Sequence, residues 1–116
     1  YMETFLQKNQ PFDAVYAHND EMAIGAYLAW DRTGNKAKKP IFVGIDGCQK
    51  EMIDYIKDGK IDATFQYPIP GPKGVDVADD LLKGKQPPQK KIVLPTQMVT
   101  KDNAQKYEDD NPNLAK

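Results

Sequence analysis

The sequence predicts an α/β domain in which a parallel sheet is flanked by helices. Three short apolar runs, at residues 13–17, 41–45 and 61–67, have the length and the aliphatic content of strands. Each run is followed by a segment with apolar residues at helical spacing, and a strand–helix–strand order predicts parallel pairing with helices on both sides of the sheet. The 116 residues are enough for one domain with a buried core.

The first part of the chain supplies two helices and a strand. Apolar spacing predicts a helix over residues 2–6 that ends before Pro11, and a strand follows at residues 13–17. Asn19 is expected to start the next helix, because its side-chain oxygen accepts free N–H groups and the acidic residues after it suit the positive end of the helix dipole. That helix is expected to end near Gly34.

The central strand, at residues 41–45, ends at a carboxylate. Its nearly continuous apolar run is typical of a strand that is covered on both faces. The run stops at Asp46-Gly47, where a glycine permits a tight turn. Ligands of open α/β sheets gather outside the carboxyl ends of the strands, so Asp46 is a candidate ligand contact. The alternative is a turn residue that caps the next helix.

The second half continues the alternation of helices and strands. A short helix that ends at Gly59 precedes the strand at residues 61–67, and three prolines interrupt the chain after that strand. A further helix over residues 72–83 has an apolar face. This face consists of Val75, Ala78, Leu81 and Leu82.

The predicted end of the chain is less regular. Short extended pieces at residues 92–94 and 97–99 flank Pro95, and a last short helix follows Asn103. Residues 109–116 are expected to form a polar tail. No internal repeat and no linker between two complete domains is visible in the sequence.

Composition excludes several classes of partner. The 16 basic and 17 acidic residues give a net charge of −1 without charged blocks, which argues against nucleic acid or an anionic membrane surface. No apolar stretch approaches the roughly 20 residues of a membrane span. Cys48 is the only cysteine, so the chain forms no internal disulfide.

The sequence offers no convincing catalytic residues, and we expect a protein that is not an enzyme. His18 is the only histidine, serine is absent, and no third group orients a pair formed by His18 and Cys48. No metal-ligand spacing and no glycine-rich phosphate loop occurs, so neither a metal nor a cofactor is predicted.

Three polar side chains instead follow the three predicted strands: Asn19, Asp46 and Gln66. A carboxylate accepts hydrogen bonds and an amide both donates and accepts, so together they suit a polyhydroxylated ligand. A mismatched hydroxyl is rejected because an unsatisfied buried polar group costs about 1–3 kcal/mol. Phe65 or Tyr67 is placed to face the apolar side of a sugar ring. The alternatives are capping for Asn19 and Asp46, solvation for Gln66 and core packing for Phe65.

Four motifs, in this order and spacing, resemble the C-terminal half of type I periplasmic sugar-binding proteins, with the ribose-binding group as the nearest model. They read DAVYAHNDEMAIGA, FVGIDG, DGKIDATFQYP and LLKGK…VTKDN. The resemblance covers about residues 10–103. It implies that the family's ligand-binding asparagine, aspartate and hinge glutamine fall on Asn19, Asp46 and Gln66. The ribose group often has phenylalanine before the aspartate, whereas this chain has Ile45, which leaves the sugar open.

The resemblance also implies an incomplete two-lobed fold. Residues 1–66 would belong to the C-terminal lobe, residues 67–94 would pack on an N-terminal lobe that is absent here, and residues 95–116 would return to the C-terminal lobe and its tail. The N-terminal lobe would supply the other half of the sugar site, and the full-length precursor would carry a signal peptide.

The function implied by the resemblance is that of the solute-binding component of an ABC-type sugar importer. Such a protein closes over a monosaccharide or polyol without catalysis and delivers it to a membrane permease. It works in the periplasm or outside the cell, with lipid anchoring left open. The alternative is the ligand-binding domain of a LacI-type transcription regulator or of a sugar-sensing receptor, which share this fold.

Overall fold

The computed structural model describes residues 1–34, 38–86 and 89–115 and contains a single four-stranded sheet in this part of the chain. Its elements, in chain order, are α1 (Met2–Leu6), β1 (Ala14–Tyr16), α2 (Asp20–Arg32), β2 (Ile41–Asp46), α3 (Lys50–Lys57), β3 (Ala63–Gln66), α4 (Gly71–Leu82), β4 (Met98–Thr100) and α5 (Ala104–Asp110). The predicted alternation of helices and strands is therefore present.

The sheet is mixed, with strand order β1-β2-β3-β4. β2 pairs in parallel with both β1 and β3, as the strand–helix–strand pattern predicts. β4 adds an antiparallel edge strand next to β3, with Thr64 opposite Val99. The chain leaves the sheet after β3, passes through α4 and re-enters at the same end, where Met98 pairs with Phe65, which is why the last pair runs antiparallel.

The structure differs from the expectation of helices on both faces. Phe42, Gly44, Thr64 and Val99 face α2, α3 and α5 and are buried. The other face of the sheet is open in the described ranges: Tyr16, Ile41 and Met98 are 64%, 53% and 50% exposed. The reason is the strand order, because two successive right-handed crossovers in the same direction place α2 and α3 on the same face.

An aromatic and aliphatic core lies between the sheet and these helices. The ring of Phe42 lies 5.6 Å from Tyr27 and 6.0 Å from Trp30, both on α2. Met52, Ile53 and Ile56 of α3 are fully buried beside them, as the helical spacing predicts. This packing fixes α2 and α3 against β2, so the ends of the strands are held in a defined position.

α4 lies apart from this core. It buries no residue, and Val75 and Leu82 are 70% and 89% exposed. The radius of gyration is 18.3 Å, whereas a compact chain of this length has about 13 Å. The longest dimension is 61 Å, so the α4 segment extends away from the sheet. No helix within the described residues is long and apolar enough to cross a bilayer.

The end of the chain is more ordered than the predicted polar tail. α5 continues to Asp110, and the backbone of Ala115 then bonds to both Cys48 and Lys50, each at 2.9 Å. Leu114 packs against the core, and this one apolar residue anchors the segment. Residues 92–94, by contrast, form no strand, and β4 begins only at Met98.

Gly44, in β2, has no side chain at the point where α2 and α3 pack closely against the strand. A Cβ atom at this position would lie 2.5 Å from Oδ1 of Asp20 and 2.7 Å from Cε of Met52. We expect Gly44→Ala to lower the free energy of unfolding by about 1–3 kcal/mol, because the buried neighbours must move. Urea unfolding measures this change.

Gly25→Ala is the matched control. A Cβ there meets nothing within 4 Å, and the position lies inside α2. Alanine should therefore raise stability by up to about 1 kcal/mol through its helix propensity. Equal stability of the two variants would contradict the packing described for Gly44.

Candidate ligand site at the strand ends

Asn19 is the N-cap of α2. Its backbone is extended, and its Oδ1 accepts the N–H of Met22 at 2.8 Å. The predicted capping role is therefore confirmed. The cap uses the side-chain oxygen, and the amide nitrogen has no partner among the residues that the structure describes. The side-chain N–H groups of Asn19 are therefore available as hydrogen-bond donors at the start of α2.

Asp46 ends β2 in a conformation that is rare for a residue other than glycine. Its φ is +119°, and Gly47 follows with a φ of +64°. The alternative role as a helix cap is wrong, because the N-cap of α3 is Gln49. The carboxylate is half-buried and has no hydrogen-bond partner within residues 1–34, 38–86 and 89–115. Left-handed backbone at a non-glycine residue costs of the order of 1–3 kcal/mol and often marks a functional position.

Gln66 ends β3 directly beside Asp46. The two residues are register partners, and the N–H of Tyr67 donates to the carbonyl of Asp46 at 2.9 Å. The backbone of Gln66 is held from the other side by the carbonyl of Gln97 at 2.8 Å and by the hydroxyl of Thr96. The carboxylate and the amide are therefore placed on neighbouring strands at one edge of the sheet.

The structure brings two of the three predicted residues together at this edge, and the third is linked to it through its neighbour in the chain. Asp46 and Gln66 line a cleft of about 340 Å³, together with Tyr67. Asn19 lies next in sequence to Asp20, which bonds directly to Gly47, the residue after Asp46. Of the two aromatic residues that the sequence offered, Tyr67 lines this cleft, whereas Phe65 pairs with Ile45 and Met98 on the open face of the sheet.

His18 and Cys48 are not brought together. His18 lines a separate, open groove of about 1070 Å³ between α1, β1 and α2, where its ring contacts Tyr16 at 5.7 Å. Cys48 lies in the smaller cleft with Asp46, and burial raises the pKa of its thiol. In the described part of the chain, no three His, Cys, Asp or Glu side chains are grouped so that they could hold a metal ion.

The residue that sequence reasoning missed is Asp20. It is fully buried, and its two carboxylate oxygens accept the hydroxyl of Thr64 at 2.6 Å and the N–H of Gly47 at 2.9 Å. Burial raises the pKa of Asp20 to about 6. The two hydrogen bonds lower the pKa, but their effect is smaller than that of burial. An acidic residue in the first turn of a helix is ordinarily exposed, so nothing local in the sequence distinguishes it from Glu21.

A second group holds the same turn. The hydroxyl of Tyr107, on α5, donates to the carbonyl of Gly47 at 2.7 Å, and burial raises its pKa. Sequence reasoning treated this region only as a short final helix. Its contact with Gly47 spans 60 positions in the chain, so no local pattern predicts it.

Asp20 should make stability depend on pH. Its pKa of about 6 in the folded protein lies above the ordinary value of 3.8, so between these values the folded state keeps a proton that the unfolded state loses. The free energy of unfolding therefore falls as pH rises through this window. We expect Asp20→Asn to flatten that slope and to raise stability at neutral pH by about 1–3 kcal/mol, because no charge is then buried.

Unfolding by urea at a series of pH values tests this expectation. Asp13→Asn is the contrasting variant, because its exposed carboxylate has a pKa lowered by Lys38, 2.6 Å away. Its removal should lower stability at neutral pH rather than raise it. A wild-type slope retained by Asp20→Asn would show that another group is responsible.

Comparison with known proteins places these features in a family. The family model described as periplasmic binding protein domain matches residues 1–86. The ribose import binding protein RbsB of Bacillus subtilis is 41% identical over 101 residues, which is 85% of this chain and 32% of that protein.

Two solved structures have the same arrangement. The fructose binding periplasmic domain of a hybrid two component system is 37% identical with a TM-score of 0.81, over 96% of this chain and 37% of that one. An ABC transporter solute binding protein from Bacillus halodurans, with bound myo-inositol, is 34% identical with a TM-score of 0.78, over 93% and 37%.

The chain spans about a third of the length of these relatives. The family model nevertheless matches well over half of its 116 residues. The four-stranded sheet and the helices on its buried face superpose on the solved binding proteins with TM-scores near 0.8. This chain therefore belongs to the periplasmic binding protein domain family and has its type I fold.

Proposed function

We propose that this chain is part of the solute-binding component of an ABC-type importer that binds a monosaccharide or polyol, without catalysis. The observation that carries the proposal is the edge of the sheet at which Asp46 and Gln66 lie side by side. The Asn19 cap is next in sequence to Asp20, which bonds to the turn after Asp46. This edge offers a carboxylate that accepts and amide groups that donate, which is the complement of a set of sugar hydroxyls.

The roles in ligand binding follow from the contacts that each side chain has already made. The oxygen of Asn19 is used in the cap, so its amide nitrogen would donate to the ligand. The carboxylate of Asp46 would accept from hydroxyl groups, and hydrogen bonds to a charged acceptor are worth about 1.5–3 kcal/mol. Tyr67 is 66% exposed beside them and would contact the apolar face of the ring.

The names of the relatives give different ligands, namely ribose, fructose and bound myo-inositol. Ile45 stands immediately before Asp46 and is the register partner of Phe65. An aliphatic side chain at this position would give the pocket a different shape from an aromatic one.

A sensing role is the second candidate. The similar fructose binding periplasmic domain is part of a hybrid two component system. A transport role is favoured by the relatives described as import binding proteins and as solute binding proteins of ABC transporters.

We further propose that residues 67–94 pack on a second, N-terminal lobe that completes the site. The support is the exposure of the apolar face of α4, since Val75 and Leu82 would otherwise stay in water. Residues 1–66 and 95–115 contain the four strands and the helices that pack on them, whereas α4 lies in the segment between. The cleft between the lobes would then surround the sugar.

The remaining partners follow from this role. The ligand-loaded protein would dock on a membrane permease, and the relatives imply a periplasmic or extracellular location. Lipid anchoring is compatible with either location. The near-neutral charge of the chain agrees with a partner other than nucleic acid.

Asp46→Asn tests the proposed site in the intact protein. The change removes the charge but keeps the shape, and asparagine tolerates positive φ. We expect sugar affinity to fall by about tenfold or more, because charge-assisted hydrogen bonds are lost. Calorimetric titration with D-ribose, D-fructose and myo-inositol gives the affinity, and thermal unfolding checks the fold.

The control for this variant is Asp102→Asn, which neutralises an exposed carboxylate in the turn after β4. It should bind the same sugar as the wild-type protein with the same affinity. If Asp46→Asn also bound unchanged, Asp46 would not be a ligand contact. Absence of binding to all three compounds by the wild-type protein would count against these ligands.

Leu82→Glu tests the assignment of residues 67–94. If α4 packs on a second lobe, a charge at this apolar position should lower the stability of the intact protein by about 1–3 kcal/mol. The control is Lys73→Glu, which changes charge on the opposite side of α4, since the two positions lie about 180° apart around the helix. Urea unfolding that shows no difference between the two variants would mean that this face is solvated.

A further inference from the structure

Asp46, the aspartate of the proposed ligand site, has a backbone conformation that other parts of the protein must stabilise. Asp46 and Gly47 both have positive φ, at +119° and +64°. Glycine adopts such angles freely, but an aspartate does so at a cost and persists there only when its surroundings enforce it. The side-chain direction of Asp46 is set by this conformation, so whatever enforces the conformation also aims the carboxylate.

Two buried side chains from opposite ends of the sequence hold Gly47. Asp20, at the start of α2, accepts the N–H of Gly47 at 2.9 Å. Tyr107, on α5, donates its hydroxyl to the carbonyl of Gly47 at 2.7 Å. Both polar groups of one glycine are thus fixed by side chains that are 0% and 2% exposed.

The two side chains are themselves held in place. The second oxygen of Asp20 accepts the hydroxyl of Thr64, on β3, at 2.6 Å. Tyr107 lies close enough to Gly47 that a Cβ on the glycine would come within 3.2 Å of its hydroxyl oxygen. The same Cβ would lie 3.1 Å from Cα of Gln66, so Gly47 is closely packed against both Tyr107 and β3.

We propose that Asp20 and Tyr107 are positioning residues for the ligand site, which hold Gly47 from both sides and thereby keep Asp46 in its left-handed conformation with its carboxylate at the strand ends. This inference rests on the proposed function for the identity of the ligand. The hydrogen bonds that carry it are properties of the chain alone. Preorganisation of this kind raises affinity because the ligand does not have to order the site.

A purely structural role for these residues predicts a different result. Loss of either side chain would then lower stability but leave the affinity of the folded protein unchanged. A positioning role predicts weaker binding in variants that are fully folded. Affinity measured well below the unfolding temperature therefore separates the two roles.

Tyr107→Phe is the decisive variant, because it removes only the hydroxyl. We expect sugar affinity to fall about threefold to tenfold, the equivalent of one hydrogen bond. Tyr55→Phe removes the same group from α3, where the ring of Tyr55 packs against Tyr27, and should leave affinity unchanged. Calorimetric titration of the intact protein with D-ribose, D-fructose and myo-inositol provides the measurement.

Substitution of Asp20 adds a rescue test. Asp20→Ala removes the acceptor for Gly47 and should weaken binding at least as much as Tyr107→Phe. Asp20→Asn keeps an acceptor of the same shape and should restore affinity to within about threefold of the wild-type value. If Asp20→Ala does not fold, the affinity of Tyr107→Phe decides the question. Wild-type affinity in a folded Tyr107→Phe together with a folded Asp20→Ala would overturn the proposal.

A ligand-free readout separates this inference from the proposed function. The backbone ¹³C chemical shifts of Asp46 and Gly47 report their dihedral angles in the protein without sugar. We expect Tyr107→Phe to move them toward ordinary extended backbone, while Tyr55→Phe leaves them in place. If the wild-type protein binds none of the three compounds, the proposed ligands fail. Unchanged shifts in Tyr107→Phe would then still overturn the role of the hydroxyl.

Discussion

The buried carboxylate of Asp20 connects the elements that position the candidate ligand site. Asp20 begins α2, and its oxygens bond to Gly47 after β2 and to Thr64 in β3. Two hydrogen bonds therefore connect the start of α2 to the turn after β2 and to strand β3. The carboxylate lies out of water, which is unfavourable for its charge and raises its pKa to about 6. The benefit of the arrangement lies in geometry more than in stability.

The surroundings of Asp20 make this arrangement possible. Gly44 has no side chain where Oδ1 of Asp20 and Cε of Met52 need the space. The aromatic packing of Phe42 against α2 fixes the position of the helix along β2. Asp20, the first residue of α2, can then reach the turn after the strand. Packing in the core thus decides where polar groups at the edge are placed, because closely packed interiors transmit small shifts.

The region around β2 and β3 and the α4 segment differ in how closely they are packed. Around β2 and β3 the helices, the turn after Asp46 and the chain end near Ala115 form one closely bonded unit. α4, by contrast, presents Val75 and Leu82 to solvent. This contrast supports the proposal that the α4 segment packs on a second lobe.

The sequence by itself determined the order of helices and strands, the parallel core of the sheet and the three polar strand ends. These depend on local patterns, namely apolar spacing, the Asn19 cap and the glycine after Asp46. It did not predict the antiparallel β4, the open face of the sheet or the ordered chain end near Ala115. Only the tertiary structure decided these features and the roles of Asp20 and Tyr107, because each depends on contacts between residues distant in sequence. Burial of Asp20 and the reach of Tyr107 to Gly47 exist only once α2, β3 and α5 are packed together.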